Sequence, residues 1–277
     1  MTTRKNRHTK RRESLQGSGY FKRLGPGIVT GAADDDPSGI GTYSEVGAVF
    51  GLALIWSTIL VAPMAAAVQE TAARLGLATG KGLATLIKER FPRPVLYFAL
   101  ALVISANTFN IAADIASMGA AAHLVIPIPA FVFVLAFTVL MIILAIFLNY
   151  HQYARILRWL ALSLLAYIFV LGAVHIDWSD VLRNVFTPSV PTSRGEFSAL
   201  IAVFGTTVSP YLFFWQASEE VEEVKDQNES VGEKLEPKHI VAMRIDVIGG
   251  MFSAVFVAFA IMVAAAVTLH AHNITKI

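Results

Sequence analysis

The sequence predicts an all-α polytopic membrane protein, and three observations carry that reading. Apolar residues make up 55% of the 277 and charged residues only 15%, whereas soluble domains carry charge nearer a quarter of their residues. The apolar residues fall in long blocks, each near the roughly 20 residues that cross a bilayer, and not in the short periodic faces of a soluble fold. Two of these blocks are broken by proline, glycine and polar residues, one at Asp36-Pro37 and one at Gly205–Pro210. Cysteine is absent, which excludes disulfides and thiolate metal sites.

Residues 1–24 form a basic tail in which Arg4, Lys5, Arg7, Lys10, Arg11, Arg12, Lys22 and Arg23 face a single acid, Glu13. Such a run can bind nucleic acid. Directly before a span, a cytoplasmic anchor obeying the positive-inside rule is the better reading, and no nucleic-acid partner is expected. No apolar stretch with a small-residue cleavage site follows Met1, so no removable signal peptide is expected.

Residues 25–277 form the membrane domain. Seven spans are expected, at about 25–49, 52–73, 94–122, 130–149, 159–176, 198–217 and 245–269. With the N-terminus inside a bacterial-type inner or plasma membrane, Arg74, Lys81, Lys88, Arg90 and Arg93 fall in the cytoplasm, as do Arg155 and Arg158. The outward turn Ile126-Pro127-Ile128-Pro129 carries no Lys or Arg. That asymmetry follows the positive-inside rule.

The first span holds Asp34, Asp35 and Asp36 in succession. A carboxylate at a helix centre costs about 2.5–3.5 kcal/mol on insertion scales, so intramembrane acids mark polar sites. Pro37 lacks a donor and Gly39 and Gly41 weaken the helix, so the acids stand at an interruption. Successive helical residues point about 100° apart and cannot all face one ion. Asp36, at the break, is the first candidate, Asp35 the second and Asp34 the third.

The sixth span repeats the pattern in Phe204-Gly205-Thr206-Thr207-Val208-Ser209-Pro210-Tyr211. If five spans make one repeat, the two breaks occupy corresponding positions, the arrangement that builds substrate sites near the midplane of inverted-repeat transporters. Gly27-x-x-x-Gly31 and Gly47-x-x-x-Gly51 suit close helix packing. His151, His175, His270 and His272 fall at span ends and read as interfacial or exposed residues. Trp56, Trp159 and Trp178 read as interfacial belt residues. The acidic run from Glu219 to Glu236 reads as a solvated cytoplasmic helix extension, with a metal-concentrating vestibule as the alternative. No nucleophile–base pair or cofactor motif is present, so neither an enzyme nor a cofactor is expected.

Gly25-Pro26-Gly27 followed by Asp36-Pro37-Ser38-Gly39 and Thr42 resembles the first helix of the Nramp family of divalent metal transporters. Gln69-x-x-Ala72-Ala73-Arg74-Leu75-Gly76-x-x-Thr79-Gly80-Lys81 is similar to the end of that family's second helix. Asp177-Trp178-x-x-Val181-Leu182-Arg183 with Phe186-x-Pro188-Ser189-x-Pro191 is similar to the loop before its sixth, and Gly205–Pro210 to its sixth-helix motif. The resemblance implies a leucine-transporter-like fold of two inverted five-helix repeats. It implies metal ligation by Asp36 and by the carbonyls of Ala33 and Thr206.

The chain also departs from the family pattern. Gly39 stands at the asparagine ligand, Ser209 at the sulfur-bearing methionine, Tyr211 at a histidine, and Ser117 at a proton-pathway glutamate. This resembles a divergent branch. Losing sulfur disfavours soft metals, while carboxylates, hydroxyls and carbonyls suit Mg²⁺ and Mn²⁺, so transport of one of these through an oxygen-rich site is expected. The two replaced proton-pathway residues weaken the case for proton coupling, although Asp36 and Asp114 remain candidates for proton uptake; a buried Asp114 bonded to a neighbouring Ser, Thr or Asn, such as Asn110, is the structural alternative. The family fold needs ten helices, so an incomplete fold is expected: one repeat of five helices and two of the next, whose missing helices or another subunit would be partners beside the bilayer. An amino-acid or other small-solute transporter of the same fold and a non-transporting membrane subunit are the alternatives.

Overall fold

The computed structural model describes residue 31 and residues 34–147, 165–226 and 237–275, and all regular structure within them is helical. In chain order the helices are α1 (Pro37–Phe50), α2 (Trp56–Thr79), α3 (Leu83–Arg90), α4 (Arg93–Val125) and α5 (Ala130–Phe147). They continue with α6 (Leu165–Ala173), α7 (Trp178–Phe186), α8 (Arg194–Thr207), α9 (Pro210–Asp226) and α10 (Pro237–Thr268), closed by a 3-10 turn at His270–His272. The basic tail, His151 and Trp159 lie outside the described residues.

Both expected interruptions are present. Asp34 is helical, Asp35 and Asp36 are not, and α1 starts at Pro37, where proline's fixed φ and missing donor suit the first helical position. The sixth span divides into α8 and α9 at Val208-Ser209. Of the fifth span, 165–173 is described as α6, and α10 begins well before the expected residue 245.

Four helical stretches are long and apolar enough to cross a membrane among the described residues: Arg93–Val125, Ala130–Phe147, Arg194–Glu222 and Ile240–His272. α10 is the central one, with most of its residues from Val247 to Ala266 buried. Its C-terminal half packs with Tyr43, Val46, Leu54, Ile55 and Val203. Its N-terminal half, through Met243, Val247 and Met251, packs on Ala65, Ala66 and Ala73 of α2. α4 and α5 pack against each other and leave large apolar side chains such as Phe109 and Phe147 mostly exposed. Apolar exposure on that scale would mark an interaction surface in water; on helices of this length it suits hydrocarbon.

Polar contacts pin the two ends of this bundle. At the end where α8 starts, Ser193 and Glu196 form a capping box. Ser189 Oγ donates to the Ala53 carbonyl at 2.6 Å, and exposed His270 donates through Nδ1 to the Ala48 carbonyl at 2.9 Å. At the other end Glu70 Oε1 of α2 accepts from Arg244 Nε of α10 at 2.7 Å. The acidic end of α9 differs from the expected solvated extension, because Glu220 and Val221 are buried. The cause is packing against α2: Ala217, one turn earlier, lies directly against Gly76. Gln216 Nε2 donates to Glu220 Oε1 at 2.9 Å, within that packed face.

Candidate metal site

The start of α1 poses a problem of backbone chemistry. The first N–H groups of a helix have no intrahelical acceptor, and in a membrane interior water does not supply one. Two carboxylates solve it. Asp36 is the N-cap, its Oδ1 accepting from Gly39 N–H at 2.7 Å, while Asp114 Oδ1 of α4 accepts from Ser38 N–H at 2.9 Å. Both negative groups sit at the positive end of the helix dipole. Asp114 therefore has a structural partner, and the expected bond to Asn110 is present only as a long 3.5 Å contact from Asn110 Nδ2 to Oδ2.

The Asp36 carboxylate is otherwise saturated. Ser38 Oγ donates to Oδ1 at 2.8 Å. Asn110 Nδ2 donates to Oδ2 at 2.8 Å, and Tyr211 O–H, reaching across from α9, donates to the same oxygen at 2.9 Å. Asn110 Oδ1 is the alternative acceptor for the same Ser38 hydroxyl, at 3.1 Å; α1, α4 and α9 thus meet on one carboxylate.

Asp34 and Asp35 differ sharply from Asp36. Only 1% and 8% of their surfaces are exposed, and Oδ1 of each is buried with no hydrogen-bond partner. Among the described residues no three Asp, Glu or His side chains converge to hold an ion. An ion here would draw on carbonyls, hydroxyls and water as well as on carboxylate.

Thr206 and Ser209 are brought to this junction. A Cβ built on Gly39 would lie 3.2 Å from Asp36 Oδ1, 3.3 Å from Thr206 Oγ1 and 3.4 Å from the Asp34 carbonyl oxygen. Position 39 thus lies between the two breaks, packed so closely that even a Cβ would crowd all three atoms. Buried Ser209 donates through Oγ to the Thr206 carbonyl at 2.8 Å, and its contact to the Gly205 carbonyl is 3.3 Å. These carbonyls end α8, where a helix presents unpaired acceptors and partial negative charge. Beside them Tyr43 and Thr207, both buried, share a hydroxyl–hydroxyl bond of 2.8 Å that ties α1 to α8. Ala33 lies outside the described residues.

Sequence reasoning did not single out Tyr211, Asn110 or Ser38 as partners of Asp36. The one available signal was positional, since Tyr211 follows the proline that starts α9.

Two interrupted helices meeting at a carboxylate define the class as an interrupted-helix membrane protein of the transporter type. The sequence pattern of the family described as "Natural resistance-associated macrophage protein-like", Nramp, matches residues 27–277, and the chain belongs to that family. It is 30% identical over 261 residues to the divalent metal cation transporter MntH of Deinococcus radiodurans, covering 91% of this chain and 57% of that protein. It is 28% identical over 258 residues to MntH of Erwinia tasmaniensis, covering 90% of this chain and 59% of the relative. The chain thus spans somewhat under three fifths of these curated relatives. A solved structure of a mutant manganese transporter from Eremococcus coleocola superimposes with a TM-score of 0.71 at 19% identity, over 92% of this chain and 53% of that one. The fold is therefore the corresponding part of a leucine-transporter-like architecture.

Proposed function

We propose that the chain binds a divalent cation of the Mn²⁺ or Mg²⁺ class between its two broken helices and contributes to carrying it across the membrane. The observation that carries this reading is the pair of orphaned oxygens, Asp34 Oδ1 and Asp35 Oδ1, buried beside Asp36. Buried charge is tolerated when it is paired or bound to a metal. The relatives named as divalent metal cation transporters support the same class.

The donor set favours a hard ion. Asp36, Thr206 and Ser209 offer oxygen only, and Mg²⁺ binds through few protein oxygens while keeping several waters. Inward movement of a divalent ion gains about 4.6 kcal/mol at 100 mV, twice the unit-charge value, without a second driving ion. The capping of Ser38 by Asp114 supports a structural role for that acid over a proton relay. An amino-acid carboxylate would meet three aspartates here and is disfavoured.

The direct test is influx of Mn²⁺ and of Mg²⁺ into vesicles carrying the chain, with equilibrium binding measured in parallel. Saturable binding of either ion is expected; absence of binding for both refutes the reading. Replacing Ser209 with methionine adds a thioether and releases the Thr206 carbonyl. Competition by Cd²⁺ should then improve about tenfold, or about 1.4 kcal/mol. Unchanged competition would mean that this side chain does not face the ion.

A further inference from the structure

The two oxygens of Asp36 have different partners. Oδ1 is held by its own helix, through Gly39 N–H at 2.7 Å and Ser38 O–H at 2.8 Å. The Gly39 donor departs only if the first turn of α1 unwinds. Oδ2 is held from outside, by Asn110 at 2.8 Å and Tyr211 at 2.9 Å. Both of these donors are side-chain tips on other helices. Tyr211 is half-buried, and rotation of its side chain would take one of the two donors off Oδ2 while leaving the backbone in place.

We propose that the Tyr211 hydroxyl is a place-holder for the cation. It occupies Oδ2 beside Asn110 Nδ2, and a cation that bound to this oxygen would displace it. A hydrogen bond to a charged acceptor is worth more than a neutral one, so the hydroxyl stabilises Asp36 whenever no cation is bound. Affinity is the difference between occupied and empty states, and a protein competent to bind only after releasing a contact shows weaker apparent affinity by the fraction competent. Asp34 and Asp35 provide the contrast, since Oδ1 of each has no such donor.

The place-holder is indifferent to the identity of the ion, because it acts only on the empty state. This rests on the cation reading above and extends it by naming the residue that sets affinity without setting selectivity. The Tyr211 proton points at Oδ2, so the hydroxyl acts here as a donor; its role is to position and occupy Asp36.

The test is calorimetric titration of the full chain in lipid nanodiscs with Mn²⁺, then with Mg²⁺. Tyr211→Phe keeps the ring and removes the donor, and should tighten both dissociation constants by the same factor, about five- to tenfold. Tyr211→His returns an N–H donor and should move both values back toward the parent. A structural role would weaken binding, and a direct ligand role would also weaken it; an unchanged or weaker dissociation constant in Tyr211→Phe overturns the proposal. If the phenylalanine variant does not fold, Tyr211→Leu removes the same donor and is read in the same way. Asp36→Asn separates the two levels. Loss of Mn²⁺ binding there with no tightening in Tyr211→Phe removes the place-holder alone; full Mn²⁺ binding by Asp36→Asn removes Asp36 as the ligand, and absence of Mn²⁺ and Mg²⁺ binding in the parent removes the cation reading beneath it.

Discussion

Asp36→Asn is expected to weaken Mn²⁺ binding by at least about 100-fold, which corresponds to about 2.7 kcal/mol. At an effective dielectric near 20, two unit charges about 4 Å apart interact by roughly 4 kcal/mol, and a divalent ion doubles the Coulomb gain before desolvation offsets part of it. The size of the effect alone does not identify a ligand, because Asp36 also caps α1 through the 2.7 Å bond from Gly39. Asparagine is the useful replacement, since it caps a helix about as well as aspartate. Its neutral amide can meet Tyr211, whose hydroxyl can turn to accept. Alanine removes the charge and the cap together, and should cost about 1 kcal/mol more in stability. The measurements are calorimetric Mn²⁺ titration and the thermal unfolding midpoint of all three proteins. If Asn binds Mn²⁺ like the parent while Ala only unfolds earlier, Asp36 is a cap and the ion sits elsewhere.

What could be read from the chain in advance follows from how local each effect is. Pro37 and Ser209-Pro210 interrupt helices through their own backbones, so both breaks were visible as residue types. The cost of three acids in an apolar run likewise marked the region without any knowledge of packing. The partners of Asp36 could not be read in this way. Asn110 and Tyr211 lie 74 and 175 positions away, and only the docking of α4 and α9 on α1 brings them to Oδ2. The same limit explains Asp114. From sequence it was a candidate for proton uptake or a polar residue bonded to a neighbouring Ser, Thr or Asn; in the fold it closes the Ser38 N–H, a backbone donor whose place beside α4 the sequence does not show. Glu220 was assigned to a solvated run because its neighbours are charged, and its burial depends on the face that α9 turns toward Gly76. Periodicity over a short charged segment does not reveal that face.

The close packing that holds α1 against α10 gives a second large effect. A Cβ built on Gly47 would lie 2.4 Å from the Met262 carbonyl oxygen, 2.9 Å from Ala265 Cβ and 3.2 Å from the Ala266 nitrogen. Two of these three atoms are backbone in the middle of a buried helix, so no flexible side chain can yield. Gly47→Ala therefore forces α1 and α10 apart, and overpacking of this kind costs about 1–3 kcal/mol. Gly47→Val, with two further methyl groups, should exceed that range. Gly249 supplies an internal control on α10, because nothing lies within 4 Å of a Cβ placed there. Alanine is favoured over glycine in a helix interior by about 0.5–1 kcal/mol, so Gly249→Ala should be neutral or stabilising. Thermal unfolding in detergent micelles should rank the proteins Gly249→Ala at or above the parent, then Gly47→Ala, then Gly47→Val. The consequence extends to the site, since Gly47 lies eleven residues along the helix from Asp36, about 16 Å at 1.5 Å per residue. A tilt of α1 at its C-terminal end is carried along a rigid helix to the carboxylate, so Mn²⁺ binding should weaken in step with stability across the Gly47 series and hold constant in Gly249→Ala. Gly47→Ala as stable as the parent would mean that the two helices do not meet at this distance.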